Sequence, residues 1–311
     1  MSTEKRTRVA AIDCGTNSIR LLVSDIDGDT KTDLVREMQI VRLGQDVDKT
    51  GSLATEAIER TLTATRDYAD LVGALGATRI RFCATSAARD ASNAGDFSDA
   101  IEGIIGVRPE VLSGDDEAAA SFLGAARDLP SLGGPTLVVD IGGGSTELII
   151  GHGETVDVAQ SLNIGSVRMS ERHLHSDPPG HDEIAAAVAD IDGVLDSSPV
   201  DLTQIQSFVG VAGTITTVAA HTLRLQRYDS ERIHLARLSF DELGESCEVL
   251  IHATVAERKA MPFMHPGRAD VIGGGALIVQ RIMARLAPSV SELVVSEHDI
   301  LDGIAWSIVD R

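Results

Sequence analysis

The chain has 311 residues, 43% of them hydrophobic and 24% charged, which is enough for two domains that each bury a core. A net charge of −20 and an aromatic content of 3% exclude a general DNA- or RNA-binding surface, which needs a basic face and rings for stacking. No apolar run reaches the length of a membrane span, and MSTEKRTRVAAI passes into a strand without a signal-peptide core, so a cytoplasmic protein with no membrane contact is expected.

The first apolar run, VAAIDC, breaks at GTN and resumes as SIRLLVSDI, which predicts a β-hairpin with Asp13 at the end of its first strand. KTDLVREMQIVRLGQDV follows as a third antiparallel strand. TEAIERTLTATRDYADLVGALGA sets apolar residues at helical spacing in an Ala-rich background and predicts a helix. TRIRFCATSAARDA reads as a buried strand ending in a polar loop, AGDFSDAIEGIIG as a helix, RPEVLSG as a short strand and DDEAAASFLGAARDL as a second strong helix. LPSLGGP, with its Pro and Gly cluster, is the predicted linker. The pattern then restarts at VDIGGGSTELII, a hairpin around three consecutive glycines with Asp140 at its strand end. ETVDVAQSLNIGSVRMSERH reads as the next strand, HDEIAAAVADIDGVL as a helix and QSFVGVAGTITTVAA as a strand, with a packed strand-to-helix turn at Val211 and Ala212 as the equal alternative. RADVIGGGALIVQRIMARLA is a late helical stretch, followed by the strand ELVVSEH and a final helix to Arg311. Strand, strand, strand, helix, strand, helix in both halves points to a duplicated domain.

The two hairpin turns carry chemistry that a plain turn does not need. Glycine lacks a Cβ, so a loop made of it can turn amide N–H groups toward an anion at close range. Asp13 and Asp140 are placed to hold a divalent cation, while Thr16, Ser18, Ser145 and Thr146 can donate hydroxyls to phosphate oxygens. One such turn alone reads more simply as a ligand-free hairpin. Two, one in each half, point to loops facing each other across a cleft. Ser113 ahead of Asp115, Asp116 and Glu117 makes a good helix N-cap, with acids at the positive end of the dipole. Cys14, Cys83 and Cys247 are far apart without a CxxC pair, so neither a disulfide framework nor a zinc site is expected. His173, His175, His181 and His298 lack the spacing of metal ligands.

Six segments in order, DCGTNSIRLLV, ATSAARDA, SGDDEAAASF, DIGGGSTELIIG, GVAGTITTVAA and RADVIGGGALI, resemble the exopolyphosphatase and guanosine pentaphosphate phosphohydrolase family. The hairpins are similar to the two phosphate motifs of the actin, Hsp70 and sugar kinase superfamily. The resemblance runs from about Val9 to the C-terminus and implies an α/β fold in the short, two-domain form. Two duplicated actin-like (ribonuclease H-like) domains, each a mixed sheet flanked by helices, would enclose an interdomain cleft. They would span residues 1–127 and 128–311, with the last helix able to pack back on the first domain.

The resemblance implies that Glu117 is the general base that deprotonates the attacking water, and that Asp140 and Glu147 bind Mg2+, or Mn2+ in its place, with Asp13 sharing that duty. Gly142, Gly143, Gly144 and Ser145 would cradle the terminal phosphate, with Thr16, Asn17 and Ser18 on the other side. Arg89 would offset charge on the phosphate chain, a role that Arg20 and Arg168 match more weakly. The implied activity is a metal-dependent exopolyphosphatase acting on inorganic polyphosphate, with short chains preferred. Alternatives are hydrolysis of guanosine pentaphosphate, a non-catalytic polyphosphate or alarmone sensor, and a kinase of the same superfold. A homodimer is suggested by analogy alone.

Overall fold

Thr7–Cys14 (β1) and Ser18–Asp27 (β2) pair antiparallel in unbroken register from Thr7↔Ile26 to Cys14↔Ile19, and Thr30–Ile40 (β3) adds to β2. This is the computed structural model of the chain, described over residues 6–127, 129, 134–153, 155–286 and 288–309. One unit runs to Gly124 and takes the chain back from Ile300; the other spans Ala125–Asp299.

In the first unit, the short helix Val47–Thr50 (α1) and the long Thr55–Leu75 (α2) lead to Arg79–Ala84 (β4), which joins β1 in parallel. Ser86–Arg89 (α3), Ala94–Ile105 (α4), Glu110–Val111 (β5) and Gly114–Ala126 (α5) follow, giving the sheet order β3-β2-β1-β4-β5. Central β1 is apolar on both faces, as a strand buried between two layers must be. Its Ala10, Ile12 and Cys14 share a core with Tyr68 of α2 and Phe97 and Ile101 of α4. Its Val9 and Ala11 face Ile300, Leu301, Ile304 and Trp306 of the C-terminal helix Ile300–Val309. That helix is fastened by buried Asp302, which accepts from Lys31 at 3.0 Å and Arg36 at 2.5 Å on β3.

The second unit restarts the plan with Thr136–Ile141 (β6), Thr146–His152 (β7) and Thr155–Leu162 (β8), an antiparallel meander. Ser166–His173 (α6) and His181–Asp196 (α7) precede Ser207–Val211 (β9), parallel to β6. Ala212–Thr222 (α8), Ser230–Ile233 (α9), Arg237–Ser239 (β10), Phe240–His252 (α10), Val255–Ala260 (α11), Ile272–Met283 (α12) and Glu292–Val295 (β11) complete it. The sheet order is β10-β11-β9-β6-β7-β8. Leu137, Val139 and Ile141 of β6 enter the main core with Ile191, Phe208, Leu250 and Ile278, so Asp140, of opposite parity, points to the other face. Two mixed sheets flanked by helices are the architecture that the actin-like resemblance implies.

Four expected boundaries differ, the first being the third strand, read to Val47 but ending at Ile40 ahead of α1. The loop after TRIRFCA holds the one-turn helix α3. The stretch read as one long strand from Glu154 divides into β8 and α6, because pairing with β7 stops at Leu162, Gly165 caps the helix, and Val167, Met169 and Ser170 are buried on a helical face. Likewise QSFVGVAGTITTVAA turns from β9 into α8 at Ala212, whose φ of +65° no strand accommodates. The expected linker, residues 129–135, falls mostly outside the described residues, as do Glu154 and Arg311. Helix α10 was not signalled by apolar period alone, although the Ser239 and Glu242 capping box marks its start.

Candidate active site

The chemistry of the second hairpin starts with its backbone. Gly142 N–H donates to the Ser145 carbonyl at 3.0 Å and closes the turn. The Gly142 carbonyl accepts from Ser166 N–H at 3.0 Å, and that of Gly143 accepts from Val167 at 2.9 Å and Arg168 at 3.1 Å. The Gly144 carbonyl accepts from Arg168 Nε at 2.7 Å. All three carbonyls are therefore drawn to the start of α6. A trans peptide sets its N–H opposite its C=O, so the N–H groups of Gly143, Gly144 and Ser145 turn away from the atoms that hold the carbonyls. Gly165 makes this packing possible: a Cβ there would lie 2.4 Å from the Gly143 oxygen.

Beside the loop, Asp140 and Glu147 are direct partners across β6 and β7, which puts both carboxylates on one face. They are 6% and 1% exposed. Ser161 of β8 donates its hydroxyl to Glu147 Oε1 at 2.7 Å. Oxygen donors of this kind suit a hard divalent cation, and Mg2+ is commonly held by one or two carboxylates together with substrate oxygens. Among the described residues no set of three or more His, Cys, Asp or Glu side chains gathers as a metal cage.

The first hairpin repeats the backbone plan with different side chains. Gly15 N–H donates to the Ser18 carbonyl at 2.9 Å; the Thr16 carbonyl accepts from Gly44, and that of Asn17 from Val41 and Arg42. The Thr16 hydroxyl lies 2.8 Å from that of Ser86 at the start of α3, and Gly44 leaves room for the Thr16 methyl. Asp13 is 4% exposed, and its Oδ2 accepts from Arg20 Nε at 3.0 Å and Nη2 at 2.6 Å. Burial pushes the neighbouring Cys14 thiol up, with the Asp13 charge adding to the shift.

Glu117 sits in the first turn of α5, where Ser113 caps the helix by accepting from Asp116 N–H at 3.1 Å. Its Oε2 accepts from Arg89 Nη1 at 3.0 Å, while the same nitrogen donates to the Leu112 carbonyl at 2.8 Å. The side chains singled out as base and charge-offsetting arginine are thus one another's partners. Arg20 and Arg168 have other work, on Asp13 and on the glycine loop. Sequence reasoning missed Gly165 and Ser161; the first needed the α6 boundary, the second the β7–β8 register.

Over residues 22–311 the chain matches the model of the Ppx/GppA phosphatase family. The chain belongs to the Ppx/GppA phosphatase family. Within it, the chain is 47% identical to exopolyphosphatase 2 of Mycobacterium tuberculosis, over 97% of this chain and 98% of that one. A solved structure of an exopolyphosphatase-like protein superposes with a TM-score of 0.94 at 44% identity, covering 97% of both chains. The guanosine-5'-triphosphate,3'-diphosphate pyrophosphatase of Vibrio cholerae is 34% identical over 74% of this chain and 46% of its own length. Among the described residues no helix is long and apolar enough to cross a membrane.

Proposed function

We propose that this chain is an exopolyphosphatase, a phosphoanhydride hydrolase that removes terminal phosphate from inorganic polyphosphate in the cytoplasm with Mg2+ as cofactor. The observation that carries the reading is the glycine loop, whose three carbonyls are committed to α6 and whose amides turn the other way, next to the in-register pair Asp140 and Glu147. Phosphoryl transfer asks for positioned donors and charge offset more than for a covalent intermediate.

The amides of Gly143, Gly144 and Ser145 hold terminal phosphate oxygens. Thr16, Asn17 and Ser18 supply a second set of donors. Asp140 and Glu147 are the residues that hold the cation, with Asp13 as the further candidate, and Mg2+ when bound offsets charge on the phosphate oxygens. Glu117 accepts the proton of the attacking water, its carboxylate aimed by Arg89. Shorter polyphosphate chains are the preferred substrates. The identity to the Vibrio cholerae relative supports guanosine pentaphosphate as a second candidate substrate.

The test is phosphate release by the purified protein from short polyphosphate, long polyphosphate and guanosine pentaphosphate, with and without Mg2+. Metal-dependent release from polyphosphate is expected, falling by about 10²- to 10⁴-fold in Glu117→Gln. Release from the nucleotide alone would replace this reading with the second. Binding without release would reduce the protein to a sensor.

A further inference from the structure

We propose that Ser161 is a positioning residue that aims the Glu147 carboxylate at its cation, an inference that rests on reading Asp140 and Glu147 as the Mg2+ ligands. The register makes the case. Asp140 lies opposite Glu147 across β6 and β7, and Glu147 lies opposite Ser161 across β7 and β8. Residues directly opposite in antiparallel strands share a face, so the three side chains form one row.

Within that row the Ser161 hydroxyl gives its proton to Glu147 Oε1 at 2.7 Å, a charge-assisted bond. Glutamate has three side-chain torsions, and a carboxylate that must present a lone pair to a cation loses affinity if it samples other rotamers. One fixed donor on Oε1 removes that freedom. The donor's chemistry matters as much as its place, because a hydroxyl orients the acid without cancelling its charge. The corresponding row of the first hairpin provides the contrast. There Asp13 faces Arg20, and Arg20 faces Met38, so the acid is held by a guanidinium that also neutralises it. Ser161 sits half-buried on β8 at the sheet edge, where a substitution need not disturb the core.

The experiment uses the full chain. Mg2+ binding is measured by isothermal titration calorimetry and Mn2+ binding by electron paramagnetic resonance, for the wild type, Ser161→Ala, Ser161→Thr and Glu147→Gln. Ser161→Ala is expected to weaken cation binding by about 10- to 100-fold, with Ser161→Thr restoring it to within about threefold. The Mg2+ concentration for half-maximal phosphate release should rise by the same factor, while KM for polyphosphate at saturating metal stays unchanged. Ser161→Ala binding the cation like the wild type overturns the inference alone, as does a loss that Ser161→Thr fails to restore. A wild type that binds neither cation, or a Glu147→Gln protein that binds both as tightly, overturns the reading of the metal site and this inference with it.

Discussion

Gly165→Ala is a direct test of how the glycine loop is held. The added Cβ would lie 2.4 Å from the Gly143 oxygen, 2.5 Å from its carbonyl carbon and 2.6 Å from Gly144 N, against ordinary contacts that begin at 3.4 Å. All three are backbone atoms, so no rotamer can give way and the loop or α6 must move by about 1 Å. Gly165 has a φ of −153°, which alanine adopts freely, so the effect is steric and not one of backbone strain. A shift of that size pulls apart the bonds from Ser166, Val167 and Arg168 that orient the loop's peptides. Misplacing phosphate donors by about 1 Å costs on the order of 10²-fold in rate, or about 2.7 kcal/mol of transition-state stabilisation. Overpacking should also destabilise by about 1–3 kcal/mol, lowering Tm by about 3 °C for each kcal/mol. The assay is kcat for phosphate release from short polyphosphate at saturating Mg2+, well below the lowered Tm. Gly193→Ala in α7, where nothing lies within 4 Å of the new methyl, serves as the control and should retain full activity. A Gly165→Ala enzyme with kcat within about threefold of wild type would refute the reasoning.

Other outcomes follow from the same kind of geometry. In Gly303→Ala the new methyl would lie 1.8 Å from the Ala120 carbonyl oxygen on α5, so scanning fluorimetry should report a loss at the upper end of overpacking, about 3 kcal/mol; an unchanged Tm would refute that close crossing. Burial pushes Cys247 up to about 12 and raises Cys14 as well, so a thiol-disulfide reagent at neutral pH should modify neither until the protein is denatured, as peptide mapping would reveal. Arg20→Gln removes the cation bonded to buried Asp13 and should lower the urea midpoint by the equivalent of about 3–5 kcal/mol. Mg2+ that restores the midpoint would count Asp13 among the metal ligands, and Mg2+ without effect would remove it from them.

Legibility in the sequence follows the range of the interaction. Helix α2 can be read from its apolar spacing, and both hairpins from apolar runs that break at Gly, Asn and Ser, because those signals are local. The strand-to-helix transition at Gly165 is not, because Val, Ile and Met satisfy either period; at Ala212 a continuous strand and a strand-to-helix turn read equally well, because the positive φ has no marker in its residue type. Capping boxes at Ser239 and Thr254 are legible start signals for α10 and α11. Contacts such as Ser161 with Glu147, Arg89 with Glu117 and Gly165 with Gly143 depend on strand register or on elements that meet only after folding. The residue types of the site were therefore open to reading, while the side chains and backbone that hold them were not.

The two hairpins share one backbone plan but divide the chemistry between them. Each closes with a glycine N–H on a serine carbonyl, and in each the carbonyls of the next two residues are captured by a later segment. In the first loop those two residues are Thr16 and Asn17, and the later segment makes room for a side chain at Gly44. In the second they are Gly143 and Gly144, and Gly165 makes room for backbone itself. The first loop therefore presents side chains, and the second presents bare amides. The residue seven positions after each aspartate follows the same division: Arg20 matches the charge of Asp13, whereas Glu147 doubles that of Asp140. A carboxylate pair costs stability unless something positive joins it, and an amide row attracts anions. One backbone plan thus carries opposite charge patterns, an Asp–Arg pair at the first hairpin and an Asp–Glu pair at the second, and on the proposed reading the second is the one that takes the cation and its phosphate.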